Sequence, residues 1–304
     1  MSSLGPTTGT KYGMVIDLDS CTGCGTCSVA CMTENNVYTL QDESDKLRSI
    51  TWMKVYRIEN GKSFPDAKVS YIPRPCMQCD HHTPCIPVCP VTATTKDEVG
   101  GIVSQIPSRC IGCRYCVAAC PYHVRYFNWF DPWPLYKDHV KQMTDGLNPD
   151  VSPRMRGVVE KCSFCHHRLM AARERVFAEE KRDLPPKDFK MGKDKDIAEG
   201  HENEGDEAKR KPPLEQYRMN EPIDIPEDYY VTACAQACPS NAITFGDLNN
   251  PHHRVHQILK EREKDAFRLL ERLGTEPKVY YLSSQEWVHK KADNFLDTPK
   301  GIGY

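Results

Sequence analysis

The stretch CIGCRYCVAACP, residues 110–121, decides the fold. Its cysteines, Cys110, Cys113, Cys116 and Cys120, follow the spacing C-x2-C-x2-C-x3-C, and Pro121 closes the run. Three thiolates so close together crowd one side of a single small ion. A loop winding past a four-iron cubane instead offers one thiolate to each corner, and this spacing is the ligand run of two-cluster ferredoxins. The pattern recurs outward from there. Upstream, Cys76, Cys79, Cys85 and Cys89 repeat it with a wider middle interval and Pro90. Near the start, Cys21, Cys24, Cys27 and Cys31 repeat the spacing with Met32 in place of proline. A fourth copy is split: Cys162 and Cys165, then Cys234 and Cys238 before Pro239. Together these account for all 16 cysteines of the 304-residue chain.

Other uses of the thiols fit less well. Disulfides suit small secreted domains, whereas this chain is long and its first residues carry no export signal. A structural zinc site needs two knuckles on one ion, which the second and fourth groups allow and the first and third do not. With 40 Lys+Arg against 42 Asp+Glu, the charge balance argues against a nucleic-acid binder. No apolar run approaches the ~18 residues of a membrane-spanning helix. No nucleophile–base pair, phosphate loop or dinucleotide fingerprint stands out.

In two-cluster ferredoxins the fourth cysteine of each run serves the neighbouring cluster. Proline after it locks φ and fixes the turn. The second and third groups are close in sequence and should form one unit, leaving the first and fourth to form another around it. The expected ligand sets are then Cys21, Cys24, Cys27 and Cys238; Cys162, Cys165, Cys234 and Cys31; Cys76, Cys79, Cys85 and Cys120; and Cys110, Cys113, Cys116 and Cys89. Spacing alone also allows sequential pairing of the first group with the second and the third with the fourth.

With these residues in view, the chain resembles the iron–sulfur electron-transfer subunits of the dimethyl sulfoxide reductase superfamily, as found in polysulfide, tetrathionate and menaquinone reductases and in alternative complex III. The matching stretches are VIDLDSCTGCGTCSVAC (15–31), PRPCMQCDHHTPCIPVCPVTATTKD (73–97), SRCIGCRYCVAACPYHVRYFNWF (108–130), GVVEKCSFCHHR (157–168) and TACAQACPSNAITFGDLNNP (232–251). The resemblance implies the nested pairing. It implies a large catalytic partner of molybdopterin type and an integral membrane, quinone-interacting partner, in some complexes a cytochrome. It also implies membrane association through those partners, on a side the sequence does not decide. Some relatives lack the second cysteine of the third motif and keep only three irons there. Cys113 is present here, so four [4Fe-4S] clusters are expected. Five residues separate Cys79 from Cys85 where the family usually has four, which predicts a bulge with His81 and His82 in an exposed loop.

The expected fold is α+β: two ferredoxin-like two-cluster units with a long polar insertion and a C-terminal helix and tail. Residues 1–75 and 150–251 form one unit, with the insertion at 169–230. Residues 76–149 form the other, and 252–304 carry the helix and a partner-contacting tail. YGMVIDLD, TWMKVYRIE, GGIVSQIP and AITFGD read as short strands. The insertion begins helical at LMAARERVFAEEKR and then becomes too charged to build a core. Apolar residues at helical spacing predict a helix over 252–274 ending at Gly274. The aromatic run RYFNWFDPWPLY suggests either core packing or a docking surface. Arg114 and Lys161 place positive charge beside the motifs, where charge raises cluster potentials. The function expected is an electron conduit within a respiratory oxidoreductase complex. A free polyferredoxin and a structural zinc scaffold are the competing readings.

Overall fold

A computed structural model describes residues 9–38, 50–97, 100–129, 131, 145–152, 154–180 and 224–295. In chain order the strands are β1 (Tyr12–Asp17), β2 (Lys54–Glu59), β3 (Val69–Arg74), β4 (Thr94–Lys96), β5 (Val103–Gln105), β6 (Tyr126–Phe127), β7 (Val159–Glu160), β8 (Ile243–Asp247), β9 (Ala266–Phe267) and β10 (Val279–Leu282). The helices are α1 (Thr26–Glu34), α2 (Tyr115–Ala119), α3 (His166–Glu180), α4 (Ala233–Gln236), α5 (Arg254–Glu261) and α6 (Glu286–Phe295). The architecture is α+β, built around short strands and the helices that follow cysteine loops.

The central sheet runs β8-β1-β10-β9. The apolar run of β1 is buried on both faces, which fits its inner position between β8 (antiparallel) and β10 (parallel). Tyr12, Phe164, Tyr230 and Phe245 interlock on one face of the sheet, with ring centroids 4.8–5.2 Å apart along the series Tyr12–Tyr230–Phe245–Phe164. Edge-to-face packing of this kind adds to the area buried. Three two-stranded pairs, β2/β3, β4/β5 and β6/β7, complete the strand set among the described residues. None has the size to stand alone in water.

The cysteine repeat is written into the backbone. The residue before each second cysteine has positive φ: Gly23 (71°), Gln78 (50°), Gly112 (71°) and Phe164 (54°). All four loops therefore curl the same way. At Gly112 a Cβ would lie 2.3 Å from the Gly157 carbonyl oxygen, so glycine is required there for space as well as for φ. A second repeated feature follows each Cys-Pro pair. Thr92, His123 and Asn241 all adopt positive φ and donate their N–H to the carbonyls of Cys89, Cys120 and Cys238. Met32 breaks this pattern. With no proline to stop it, α1 runs through Cys31 to Glu34, whereas α2 ends before Cys120.

The C-terminal region corrects two expectations. The helix expected over 252–274 covers only Arg254–Glu261. Its polar middle instead ties Arg262 to Asp17, Asp19 and Asp265 at 2.9, 3.1 and 3.0 Å. The two halves of the apolar pattern serve different places: Val255, Ile258 and Leu259 pack on Val15 and Leu248, while Phe267, Leu269 and Leu270 join the main core. Residues 285–295 do not extend away as a tail. α6 folds back, with Val288 and Ala292 fully buried in the main core. Residues 296–304, and residues 181–223 of the polar insertion, lie outside the described residues. The helical start of that insertion is α3.

Candidate electron-transfer centres

Helix α1 and the turn after α4 bring the first set together. Cys21, Cys24, Cys27 and Cys238 line one cavity, closed by Val55, Pro73 and Ile243. The Cys27 thiol is pushed up to about 11, first by burial, then by the neighbouring Cys21, Cys238 and Cys24. Cys24 is exposed, and its sulfur lies 3.4 Å from the Thr26 hydroxyl.

Helix α1 continues past Cys31, and that residue lies in the interior. Burial, then Cys162, Cys165 and Cys234, push its thiol well above the ordinary value. These four form a second, wholly buried set. The Asn35 side-chain amide, at the C-cap of α1 four residues after Cys31, donates to the sulfurs of Cys31 and Cys165 at 3.8 and 3.9 Å. Nothing in the sequence pattern marked Asn35.

A third set lies around the second motif. Cys76, Cys79, Cys85 and Cys120 line one cavity together with Val103, Val124 and Arg125. Burial, then Cys76, Cys120 and Cys85, push Cys79 up to about 12. The extra residue of the motif is absorbed outside: His81 and His82 are exposed, while Cys85 is 8% exposed and faces the cavity.

The fourth set centres on the quoted stretch. Cys116 and Cys85 share one core cluster, with Cys110 packed against it. The Val159 N–H donates to the Cys110 sulfur at 3.4 Å, and Cys113 is exposed in the same loop. Cys89 is partly exposed and accepts the Ala93 N–H at 3.2 Å.

The neighbours also give an order. Cys31 senses Cys27 of the first set, Cys162 senses Cys76 of the third, and Cys116 senses Cys85. The series therefore runs from exposed Cys24 through two buried sets to exposed Cys113. Arg125, 4% exposed, sits where the third and fourth sets meet and feels Cys85, Cys116, Cys76 and Cys120. One of its nitrogens, Nη2, is buried with no partner among the described residues.

These features fit sulfur-bridged iron clusters. Four cysteines wall each of the first and third cavities, and the Arg125 side chain lines the third. Among the described residues, no three His, Cys, Asp or Glu side chains converge as a single metal ion requires. Neutral buried thiols are what burial alone would leave. Bound iron replaces their protons, so loading releases protons.

Comparison with known proteins agrees. A 4Fe-4S dicluster domain model matches residues 67–132, and a 4Fe-4S binding domain model matches residues 12–33. The chain is 52% identical to the menaquinone reductase iron–sulfur cluster-binding subunit of Nitratidesulfovibrio vulgaris, over 96% of each chain. It is 32% identical to a putative dimethyl sulfoxide reductase iron–sulfur subunit of Halobacterium salinarum, over 95% of this chain and 87% of that one. It is also 32% identical to an Hdr-like menaquinol oxidoreductase iron–sulfur subunit of Archaeoglobus fulgidus, over 89% and 82%.

Proposed function

We propose, for a chain that belongs to the family of iron–sulfur cluster-binding subunits of oxidoreductase complexes, a specific wiring of its four clusters and specific neighbours at its two ends. The chain is an electron-transfer subunit carrying four [4Fe-4S] clusters. Each cluster, when bound, accepts and releases one electron. In the wiring we favour, Cys21, Cys24, Cys27 and Cys238 hold the first, and Cys31, Cys162, Cys165 and Cys234 the second. Cys76, Cys79, Cys85 and Cys120 hold the third, and Cys89, Cys110, Cys113 and Cys116 the fourth. The first two belong to one ferredoxin-like unit, joined by the C-terminal strands, and the last two to the other.

The single observation that carries this reading is the order of the cysteine sets, buried in the middle and exposed at Cys24 and Cys113. The chain's own residues have three tasks in such a relay. Apolar walls keep water from the inner sites. Amides and hydroxyls, such as those of Asn35, Thr26 and Ala93, donate to sulfur. Exposed edges meet partners. Around Cys113 the surface carries Ile111, Tyr115 and Trp129, at 65%, 61% and 44% exposure, with the Arg114 guanidinium 4.7 Å over the Trp129 ring. This apolar collar suits docking of another subunit.

In our reading one end meets a large catalytic subunit of molybdopterin type and the other an integral membrane subunit that handles a quinone. Menaquinone is the favoured quinone, from the name of the relative at 52% identity. Among the described residues, no helix is long and apolar enough to cross a membrane. Attachment to the membrane would then come through the partner.

The test is purification of the tagged chain from its native host under anaerobic conditions. A stable complex with a pterin-containing subunit and a membrane subunit is expected, and its dithionite-reduced clusters should be reoxidised by a menaquinone analogue. A free, monodisperse chain that exchanges electrons only with soluble carriers would contradict it.

A further inference from the structure

Between the second and third cysteine sets lies a polar junction that neither motif explains. Gln78, Lys161 and Lys278 are 0%, 2% and 1% exposed. The Lys161 ammonium donates to the carbonyl of Cys162 at 2.8 Å and to the carbonyl of Val103, which lines the third cavity. The Lys278 ammonium donates to the Gly101 carbonyl, and its backbone N–H to the Met77 carbonyl at 2.9 Å, inside the second motif. Gln78 bridges the Cys162 carbonyl and the Val103 N–H at 2.8 and 2.7 Å. Here Cys162 and Cys76 come within electrostatic reach of each other.

Charge at this junction does not balance among protein groups. Asp80 is already bound by Lys11 at 2.5 Å and Lys96 at 2.8 Å. Lys161 and Lys278 form no ion pair among the described residues and touch only neutral carbonyls. Burial, opposed mainly by Asp80 and reinforced by Lys96, Lys11 and Lys161, pushes Lys278 down to about 7. Leaving a buried ammonium without an anion is costly, and a negative charge close by would keep these two lysines protonated.

We infer that Lys161 and Lys278 are the built-in counter-charge of the two inner clusters and hold their potentials above what the same cysteines would give alone. The inference rests on the ligand sets proposed above, because those sets place anionic thiolate-bound clusters on both sides of the pair. A reduced cluster gains a negative charge, and nearby fixed positive charge favours that state. The pair thus keeps the buried middle of the relay accessible to electrons that arrive at the exposed ends.

Redox titration followed by electron paramagnetic resonance, on the purified complex, tests this. Iron analysis of the wild type first establishes four clusters; a lower count would sink the wiring itself. Lys161→Met and Lys278→Met, each retaining length without charge, should lower the midpoints of the inner couples by at least tenfold in the one-electron equilibrium, 59 mV. The outer couples should stay in place, and Lys278→Arg should restore the wild-type value. Unchanged inner midpoints in iron-replete Met variants, or equal shifts of all four couples, would overturn the inference. If the Met variants lose iron, Lys→Gln, which keeps a donor for the carbonyl, gives the same reading. Iron loss in Lys278→Arg as well as in the neutral variants would assign the lysines to packing and refute the charge role.

Discussion

Replacing both Cys31 and Cys162 by alanine is expected to remove one cluster, a quarter of the iron, and no more than either single replacement removes. Cys31→Ala with Cys79→Ala should remove two clusters and half of the iron. The nested wiring requires this, because in it Cys31 leaves its own motif and serves the cluster of Cys162, Cys165 and Cys234. Under sequential pairing the outcomes exchange: Cys31 and Cys79 would share a cluster, and Cys31 and Cys162 would not. Alanine is preferred to serine, whose alkoxide can still hold iron. The readout is iron and labile sulfide per chain, with the count of resonance signals from reduced samples.

The second large effect concerns stability. Removing the clusters with a chelator under reducing conditions should abolish cooperative unfolding or lower the melting temperature by at least ~20 °C, the lower end of what one such site alone would give. Four-thiolate metal sites contribute on the order of 10 kcal/mol to folding in small metal domains. Each kcal/mol moves the midpoint by about 2–4 °C in domains of 150–250 residues. The protein elements around the sites offer little in compensation. β6 and β7 have 2 residues each, α4 has 4 and α2 has 5, far below the ~12–15 residues at which an isolated helix is even marginal. The emptied sites would also leave thiols buried with no partner. Near-ultraviolet circular dichroism and calorimetry check the prediction; an apo form that keeps native tertiary signals and melts within a few degrees of the loaded one would contradict it.

The parts of this molecule that were legible in the sequence are those where chemistry fixes spacing. A cluster corner and the turn after it allow few arrangements, so the cysteine runs and their prolines mark the sites directly. The strands beside them, such as β1 and β8, announce themselves by alternating or continuous apolar residues. β10 does not. It has 4 residues, and its parallel partner β1 lies far away in the chain, with Met14 opposite Val279. No local pattern encodes such a pairing. The helix expected over 252–274 failed for a related reason: two apolar groups at compatible spacing served separate clusters, and the charged stretch between them became the Arg262 anchor. Arg125 and Asn35 were missed because a single polar residue gains meaning only when folding brings it against sulfur. Met32 was legible in the opposite sense. The missing proline flagged a departure, and its consequence is the extension of α1 through Cys31.

The central claim is four iron clusters in a fixed series, each held by cysteines from more than one motif. Anaerobic crystallography with anomalous scattering at the iron edge tests it most directly. The account predicts four separate iron groups, in the order set by Cys24, Cys31, Cys76 and Cys113, with Cys238 bonded to the group of Cys21 and Cys31 to the group of Cys234. Anomalous peaks from isolated single ions, or Cys31 bonded to the group of Cys79, would contradict it.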